Sequence, residues 1–105
     1  MNNECSIIMS TFPDKDAAKI AAKMLVKQRL AACVQIFPIE SVYLWRDEIC
    51  ESNEVVLFIK SHKELFNKIS VKIKEMHPYE VPEIVQVPIT DGLSEYLQWI
   101  RKCTI

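Results

Sequence analysis

Two long strand-like runs, ACVQIFPIESVYLW at 32–45 and ICESNEVVLFIK at 49–60, decide the fold of this sequence. Both are rich in β-branched and aromatic residues, which favour strands. Between them RDE at 46–48 predicts a tight turn, and Asp47 tolerates the left-handed backbone conformation that such turns often need. Pro38 cannot donate a ladder hydrogen bond, so it marks an edge position or a bulge. The pattern predicts one long β-hairpin.

Upstream of the hairpin, the sequence predicts a strand followed by a helix. Residues 5–12, CSIIMSTF, form an apolar run of strand length. Residues 13–30 place apolar side chains at helical spacing, with Pro13 suited to the first turn. Acidic residues near the start of this helix and basic residues near its end complement the helix dipole.

Downstream, the sequence predicts a second helix, a fourth strand and a short third helix. Ser61 and Glu64 have the spacing of a capping box, and Pro78 should end the second helix near Met76. Residues 83–89 predict the strand. Residues 91–102 predict the last helix, with Asp91 as its cap. The residues of this helix expected to face inward are Leu93, Tyr96, Leu97 and Ile100.

The predicted order is strand, helix, strand, strand, helix, strand, helix. Two split βαβ units on one antiparallel sheet give the α+β ferredoxin-like βαββαβ sandwich. Here it carries an extended β-hairpin and a short C-terminal helix. A chain of 105 residues is the size of one domain, so we expect residues 1–105 to form a single domain.

The hairpin is long for so small a domain. Thirteen strand residues span about 43 Å, whereas a domain of this size has a radius of gyration of about 13 Å. The hairpin tip, which carries Tyr43, Leu44, Trp45 and Ile49, must therefore overhang its own subunit. An uncovered ribbon with these apolar side chains would aggregate. We therefore expect a homo-oligomer with strands paired between subunits.

Composition and charge restrict the classes of partner. The net charge is −1 and no run of one sign occurs, whereas proteins that bind nucleic acid through its phosphates usually show a basic excess or stripe. No stretch is apolar and long enough to span a membrane, and the N-terminal sequence lacks the pattern of a signal peptide. Nucleic-acid and membrane partners are therefore not expected, and we expect a cytoplasmic protein.

Motifs for catalysis are missing from the sequence. It has one glycine, so no phosphate-binding loop is possible, and it has neither a G-x-S-x-G nor an H-E-x-x-H motif. The four cysteines lack C-x-x-C spacing and are most simply buried small hydrophobic residues. Only Cys33 and His77 could imitate a nucleophile and its base, with nothing nearby to activate the thiol. We therefore expect a protein that is not an enzyme.

The chain resembles the CutA family of divalent-cation tolerance proteins over nearly its whole length. The similarity is carried by RLAACV at 29–34, SVYLW at 41–45, NEVVLFIKS at 53–61, HPYEVPEI at 77–84, VPITDG at 87–92 and YLQWI at 96–100. This resemblance implies a ferredoxin-like subunit, a homotrimer built through the hairpins, clefts between subunits and a role in metal tolerance. In the family the hairpin turn is usually W-x-G-x-I, and Asp47 replaces the glycine.

The resemblance also implies a copper site, which this chain matches in part. Some bacterial members are assigned a ligand set of one cysteine and two consecutive histidines, and the matching positions are Ser10, Met76 and His77. Only His77 keeps its ligand type. His77 is therefore the candidate metal ligand for copper or another divalent cation. The alternative is that His77 ends the second helix and satisfies its last carbonyl groups.

Five further residues are candidates for a binding cleft: Cys33, Lys60, Tyr79, Glu80 and Glu83. Glu80 and Glu83 lie close to His77 in sequence, Cys33 could approach from a neighbouring strand, and Lys60 could meet a small anion. The sequence thus predicts a homotrimer that binds a divalent cation between its subunits. The alternative is a trimeric small-molecule sensor or protein-interaction scaffold without a physiological metal.

Overall fold

The structure, a computed structural model, describes residues 4–105 and has the predicted α+β architecture. Its four strands form one antiparallel sheet in the order β2-β3-β1-β4, the order of the ferredoxin-like sandwich. No helix of the described residues has the length and apolarity needed to cross a membrane. The elements are β1 (Cys5–Phe12), α1 (Lys15–Lys27), β2 (Cys33–Trp45), β3 (Glu48–His62), a 3₁₀ turn (Lys63–Leu65), α2 (Phe66–Met76), β4 (Ile84–Pro88) and α3 (Ser94–Cys103).

The predicted hairpin is confirmed and is continuous. β2 and β3 pair without a break from Cys33 opposite Lys60 to Trp45 opposite Glu48. Pro38 lies in β2, which is the edge strand and pairs only with β3 in the described sheet. The backbone N–H that proline lacks is therefore not needed for a hydrogen bond to a strand on the outer side of β2. The turn is Arg46-Asp47, shorter by one residue than predicted. Both residues have positive φ, 53° and 68°, as a type I′ turn requires.

The hairpin also overhangs the rest of the subunit. β1 pairs with β3 only from Val55 to His62, so residues 48–54 of β3 extend past β1. The described chain is accordingly elongated, with extents of 45 × 25 × 22 Å. Apolar side chains near the tip are exposed, and Ile49 is 78% exposed. The exposed apolar residues of the tip are Val42, Tyr43, Leu44, Trp45 and Ile49.

One face of the sheet is covered by α1 and α2, and the main core lies between them. Small residues of α1, such as Ala18 and Ala21, allow this helix to approach the sheet closely. Each large aliphatic side chain buried here stabilises the fold by about 1.5–3 kcal/mol. The fully buried residues of this core include Ile8, Ala18, Ala21, Leu25, Leu57, Ile59, Ile69 and Ile73.

The opposite face of the sheet is covered only at one end. There α3 packs on β1 and β3, and the Cys5 thiol donates to the Leu97 carbonyl at 3.5 Å. Farther along the same face Phe37, Val85 and Val87 are exposed. We call this surface, together with the hairpin tip, the open face. An apolar face of this kind usually marks an interface.

The predicted capping box at Ser61 is wrong. Ser61 lies inside β3, opposite Ser6 of β1, and its buried hydroxyl donates to the Leu30 carbonyl at 2.6 Å. The pairing with β1 extends the strand through His62. A 3₁₀ turn then leads into α2, whose N-terminus lacks a side-chain cap.

The predicted cap of the last helix is also wrong. α3 begins at Ser94, and the Asp91 carboxylate accepts instead from the backbone N–H of Gly92 at 3.0 Å. Leu93 precedes the helix and is 70% exposed, so it does not face inward, whereas Ile100 is fully buried. By contrast, Asp14 caps α1 by accepting from the N–H of Ala17 at 2.8 Å.

Candidate functional site

His77 directly follows α2 and lies against the end of β1. Pro78 forces an extended conformation on His77, with ψ of 135°, and this turns the chain away from the helix. Its ring Nε2 lies 2.6 Å from the carbonyl oxygen of Thr11. Its Nδ1 accepts from the backbone N–H of Tyr79 at 3.1 Å. The ring also packs on Phe12, with centroids 4.4 Å apart.

These two hydrogen bonds fix the tautomer of His77. Nδ1 accepts a hydrogen bond and so carries no proton, while Nε2 faces a carbonyl and must donate its proton. The ring is therefore neutral in this geometry. The partner of Nε2 is a strand carbonyl of β1, so His77 does not satisfy the last carbonyl groups of α2 as the helix-end alternative supposed. Because both nitrogens are engaged, the ring is held rigidly.

Tyr79 joins this cluster to the hairpin. Its hydroxyl donates to the Glu54 carboxylate at 2.8 Å, and its ring centroid is 4.8 Å from that of His77. Burial, and then the hydrogen bond to Glu54, raises the pKa of Tyr79 from 10.0 to about 12. Glu54 is only 9% exposed. The cluster thus contains a buried carboxylate, Glu54, that was not among the predicted site residues, although an acidic residue directly before the apolar run VVLFI was a visible signal.

The other two candidates in this segment stand apart from His77. Glu80 is exposed and lies 4.0 Å from the Arg46 guanidinium at the hairpin turn. Glu83 is exposed and immediately precedes β4. Within residues 4–105 neither carboxylate makes a hydrogen bond or an ion pair with the imidazole.

Cys33 and Lys60 form a second group at the other end of the sheet. They are directly opposite each other on β2 and β3. The Lys60 ammonium donates to the Tyr96 hydroxyl at 3.3 Å and lies 5.4 Å from the centre of that ring. Lys60 lies opposite Ile7 of β1, whereas His77 contacts Thr11, four residues farther along the same strand. Four strand residues span about 13 Å, and this distance separates the two groups. Cys33 therefore does not approach His77.

The family ligand positions do not converge within the described subunit. Ser10 is buried in the sheet, and its hydroxyl has no hydrogen-bond partner among residues 4–105. Met76 is exposed at the end of α2. No group of three or more His, Cys, Asp or Glu side chains within residues 4–105 could hold a metal ion.

Comparison with known proteins identifies one family. Residues 6–103 match the family described as CutA1 divalent ion tolerance protein. The divalent-cation tolerance protein CutA of Thermus thermophilus is 43% identical over 99 residues, covering 93% of this chain and 96% of that protein. The chloroplastic protein CutA of Arabidopsis thaliana is 37% identical over 99 residues, which are 93% of this chain but 54% of that protein.

Solved structures agree with the sequence comparison. The crystal structure of CutA1 from the psychrotrophic bacterium Shewanella sp. SIB1 superposes with a TM-score of 0.93 at 43% identity. The aligned part covers 99% of this chain and 98% of the Shewanella chain. The similarity therefore includes the long hairpin as well as the sandwich.

Proposed function

The chain belongs to the CutA1 divalent ion tolerance family, and we propose that it is a homotrimer that binds divalent cations, copper among them, between its subunits. Its role would be tolerance of these cations by binding them, without catalysis. The observation that carries the proposal is the division of the polar site residues into two separated groups in one subunit. Only the addition of a neighbouring subunit would complete a ligand set.

The open face supports the trimer. It combines a hairpin that extends seven residues past β1 with exposed apolar side chains on the uncovered sheet surface. β2 is an edge strand, and its outer half has backbone groups available for pairing with another strand. A closed ring of identical subunits would cover both the tip and the face.

His77 has features of a metal ligand held in place by its surroundings. Metal-ligating histidines usually donate their other ring N–H to a carbonyl or carboxylate, which fixes the tautomer. His77 makes such a bond to Thr11 through Nε2. Its Nδ1 would be the ligating atom, and a small movement of Tyr79 would release it from the backbone N–H that it now accepts. The residues thus fit a cation if a second subunit supplies the remaining ligands.

We place the other candidates around the same intersubunit cleft. Glu80 and Glu83 are exposed and close to His77 in the chain, so they are suited to meet a cation shared with a neighbouring subunit. Tyr79 would form the wall of the cleft. Cys33 and Lys60 would lie at its far end. The thiols of Cys33, Cys50 and Cys103 suit a reducing compartment, and we propose the cytoplasm.

One observation favours a second candidate function, a trimeric sensor or scaffold without a physiological metal. Both nitrogens of His77 already have hydrogen-bond partners within the subunit. Lys60 beside Tyr96 offers a cation and a hydroxyl group to a small anion instead. In this alternative, the cleft would bind an anionic small molecule near Lys60.

Copper titration by calorimetry separates the two candidates. We expect wild-type protein to bind copper and His77→Ala to bind it at least about tenfold more weakly. Loss of a residue that only supports a metal ligand already lowers metal affinity by about tenfold or more, and loss of the ligand itself should lower it at least as much. His62→Gln is the matched control, because His62 is the chain's other histidine and contacts the Ile105 carbonyl oxygen at 2.8 Å, away from Thr11. This variant should bind copper as wild type does.

Each result of the titration decides between the candidates. Absence of copper binding in wild-type protein would remove the metal function and leave the sensor or scaffold. Equal loss in His77→Ala and His62→Gln would show binding at nonspecific imidazole groups. Circular dichroism of each variant should confirm that the fold is kept.

A further inference from the structure

The two helices that cover the core carry a concentration of positive charge. Of the basic residues, seven are lysines of α1 and α2, whereas these helices hold only two acidic residues, Asp16 and Glu75. The helices therefore carry a surplus of five positive charges. Since the whole chain has a net charge of −1, the rest carries −6. The lysines are Lys15, Lys19, Lys23, Lys27, Lys68, Lys72 and Lys74.

These lysines face solvent and are not neutralised. Lys15, Lys19, Lys23 and Lys27 repeat every four residues and form a stripe along the exposed side of α1. None of the seven lysines takes part in an ion pair within residues 4–105, where the ion pairs involve Arg46, His62 and Arg101. We call this surface of α1 and α2 the basic face. It lies on the opposite side of the sheet from Phe37, Val85 and Val87 of the open face, so the proposed trimer leaves it exposed.

Apolar side chains stand among the lysines. Ile20 in the middle of α1 is 65% exposed, and Val71 in the middle of α2 is 57% exposed. An open groove of about 420 Å³ lies beside Val71, with Leu30 and Ile105 contributing further apolar lining and Lys68 and Lys72 beside them. The basic face thus presents lysines around protruding apolar residues.

This combination fits one class of partner better than the others. An anionic bilayer surface offers diffuse negative charge to lysines and a shallow apolar layer to isolated aliphatic side chains. Lysines also bind nucleic-acid phosphates, but base recognition uses arginine forks and stacking aromatic rings, and neither stands among the exposed residues of α1 and α2. Phosphate contacts alone would also leave the exposed Ile20 and Val71 without a role. The nearby Arg29 is engaged, since it donates to the carbonyl oxygens of Lys102 and Cys103.

We propose that the basic face is a docking surface for anionic phospholipid membranes. The lysines attract the lipid headgroups, and Ile20 and Val71 enter the region between headgroups and acyl chains. This is peripheral binding, in which the helices lie parallel to the membrane and do not cross it. It assigns the chain a location at a membrane surface in addition to the proposed cation binding.

Vesicle sedimentation tests this docking surface. The probe is vesicles of phosphatidylcholine alone or of equal parts phosphatidylcholine and phosphatidylglycerol. We expect wild-type protein to sediment with the anionic vesicles only, and to be released at about 0.5 M salt, where the screening length is about 4 Å. Lys23→Glu should weaken binding at least about tenfold, because each lysine near an anionic surface contributes about a fivefold gain in affinity.

Matched variants locate the binding surface. Lys102→Glu changes the net charge equally but lies on α3, outside the basic face, and should leave binding unchanged. Ile20→Ser should weaken binding, and Ile20→Leu should preserve it. All variants should keep the wild-type circular dichroism and particle mass.

Several results would overturn the proposal. One is an absence of sedimentation with anionic vesicles, and another is equal weakening by Lys23→Glu and Lys102→Glu. A third is tighter binding to duplex DNA of the same charge concentration than to the vesicles, since that would assign the basic face to nucleic acid.

Discussion

At the scale of single residues, His77 and Tyr79 fasten the segment after α2 to the sheet. His77 contacts the carbonyl oxygen of Thr11, and the Tyr79 hydroxyl contacts Glu54. Each contact joins residues far apart in sequence. These contacts hold the segment in one conformation, which would lower the entropy cost of the proposed ligand binding.

The Tyr79–Glu54 contact should contribute stability that depends on pH. The pKa of Tyr79 is raised to about 12, so the folded state favours the protonated phenol. This contribution is complete below pH 10 and is lost as pH rises through about 12. Tyr79→Phe should lower the free energy of unfolding by about 1–2 kcal/mol near neutral pH, after allowance for partial exposure of the ring. Urea unfolding across this pH range measures the effect.

The comparison of variants makes this prediction specific. The stability difference between wild type and Tyr79→Phe should shrink from pH 10 to 12. Glu54→Gln keeps an acceptor for the Tyr79 hydroxyl but removes the negative charge. The pKa of Tyr79 should therefore fall, and the stability contribution of the contact should be lost at a lower pH than in wild type. A stability difference between wild type and Tyr79→Phe that stays constant from pH 10 to 12 would contradict the assignment of this effect to the Tyr79–Glu54 hydrogen bond.

The sequence identified part of the candidate site. His77 and Tyr79 were selected because an unusual histidine-proline segment stood out, and the structure brings them together. Glu54 was missed because its importance depends on a contact across 25 positions of chain. The distance between Cys33 and His77 was equally unpredictable, because it depends on the position of Cys33 along β2 and on which residue of β1 the His77 ring contacts.

At the scale of elements, the hairpin turn holds two of the three non-glycine residues within 4–105 that have positive φ. Arg46 and Asp47 have positive φ, which costs residues with a Cβ atom about 1 kcal/mol. The turn keeps this geometry because its twist matches the long flanking strands. Asp is tolerated at such positions, as expected from the sequence, and glycine is tolerated better.

Two substitutions at Asp47 should have opposite effects on stability. Asp47→Gly should raise the free energy of unfolding by about 0.5–1 kcal/mol, because glycine adopts positive φ without strain. Asp47→Val should lower it by about 1 kcal/mol or more, because β-branched residues are poorly suited to this region. Thermal unfolding of both variants checks the prediction. A lower midpoint for Asp47→Gly than for wild type would contradict it.

The order and type of the elements were predictable, whereas helix starts were not. Long apolar runs and helical spacing fixed the four strands and three helices because burial dominates their formation. The caps at Ser61 and Asp91 were mispredicted because a polar side chain near a helix has other possible partners. For Ser61 the partner is the Leu30 carbonyl, which is 31 positions away in sequence.

At the scale of the whole molecule, the subunit has two unlike surfaces. The open face is apolar and includes the overhanging hairpin, and the basic face carries seven lysines. Strand length alone predicted the overhang. The basic stripe was not predicted, because the lysines of α1 are separated by three residues and lie side by side only on the folded helix.

A variant of the hairpin tip tests which surface holds subunits together. Ile49→Lys places a charge in the proposed interface and should shift the protein from trimer towards monomer, since burying an unpaired charge is costly. Ile20→Lys is the matched control, because Ile20 is similarly exposed but lies on the basic face. It should leave the particle mass unchanged. Equal masses for the two variants would exclude the tip from the interface.

We propose that the overhanging hairpin requires neighbouring copies of the chain, and the particle mass in dilute solution is the decisive measurement. Sedimentation equilibrium or light scattering of wild-type protein should give three times the subunit mass of 12.2 kDa, about 37 kDa. A mass of 12.2 kDa would contradict the account, because the intersubunit cleft and its proposed cation site would then not exist.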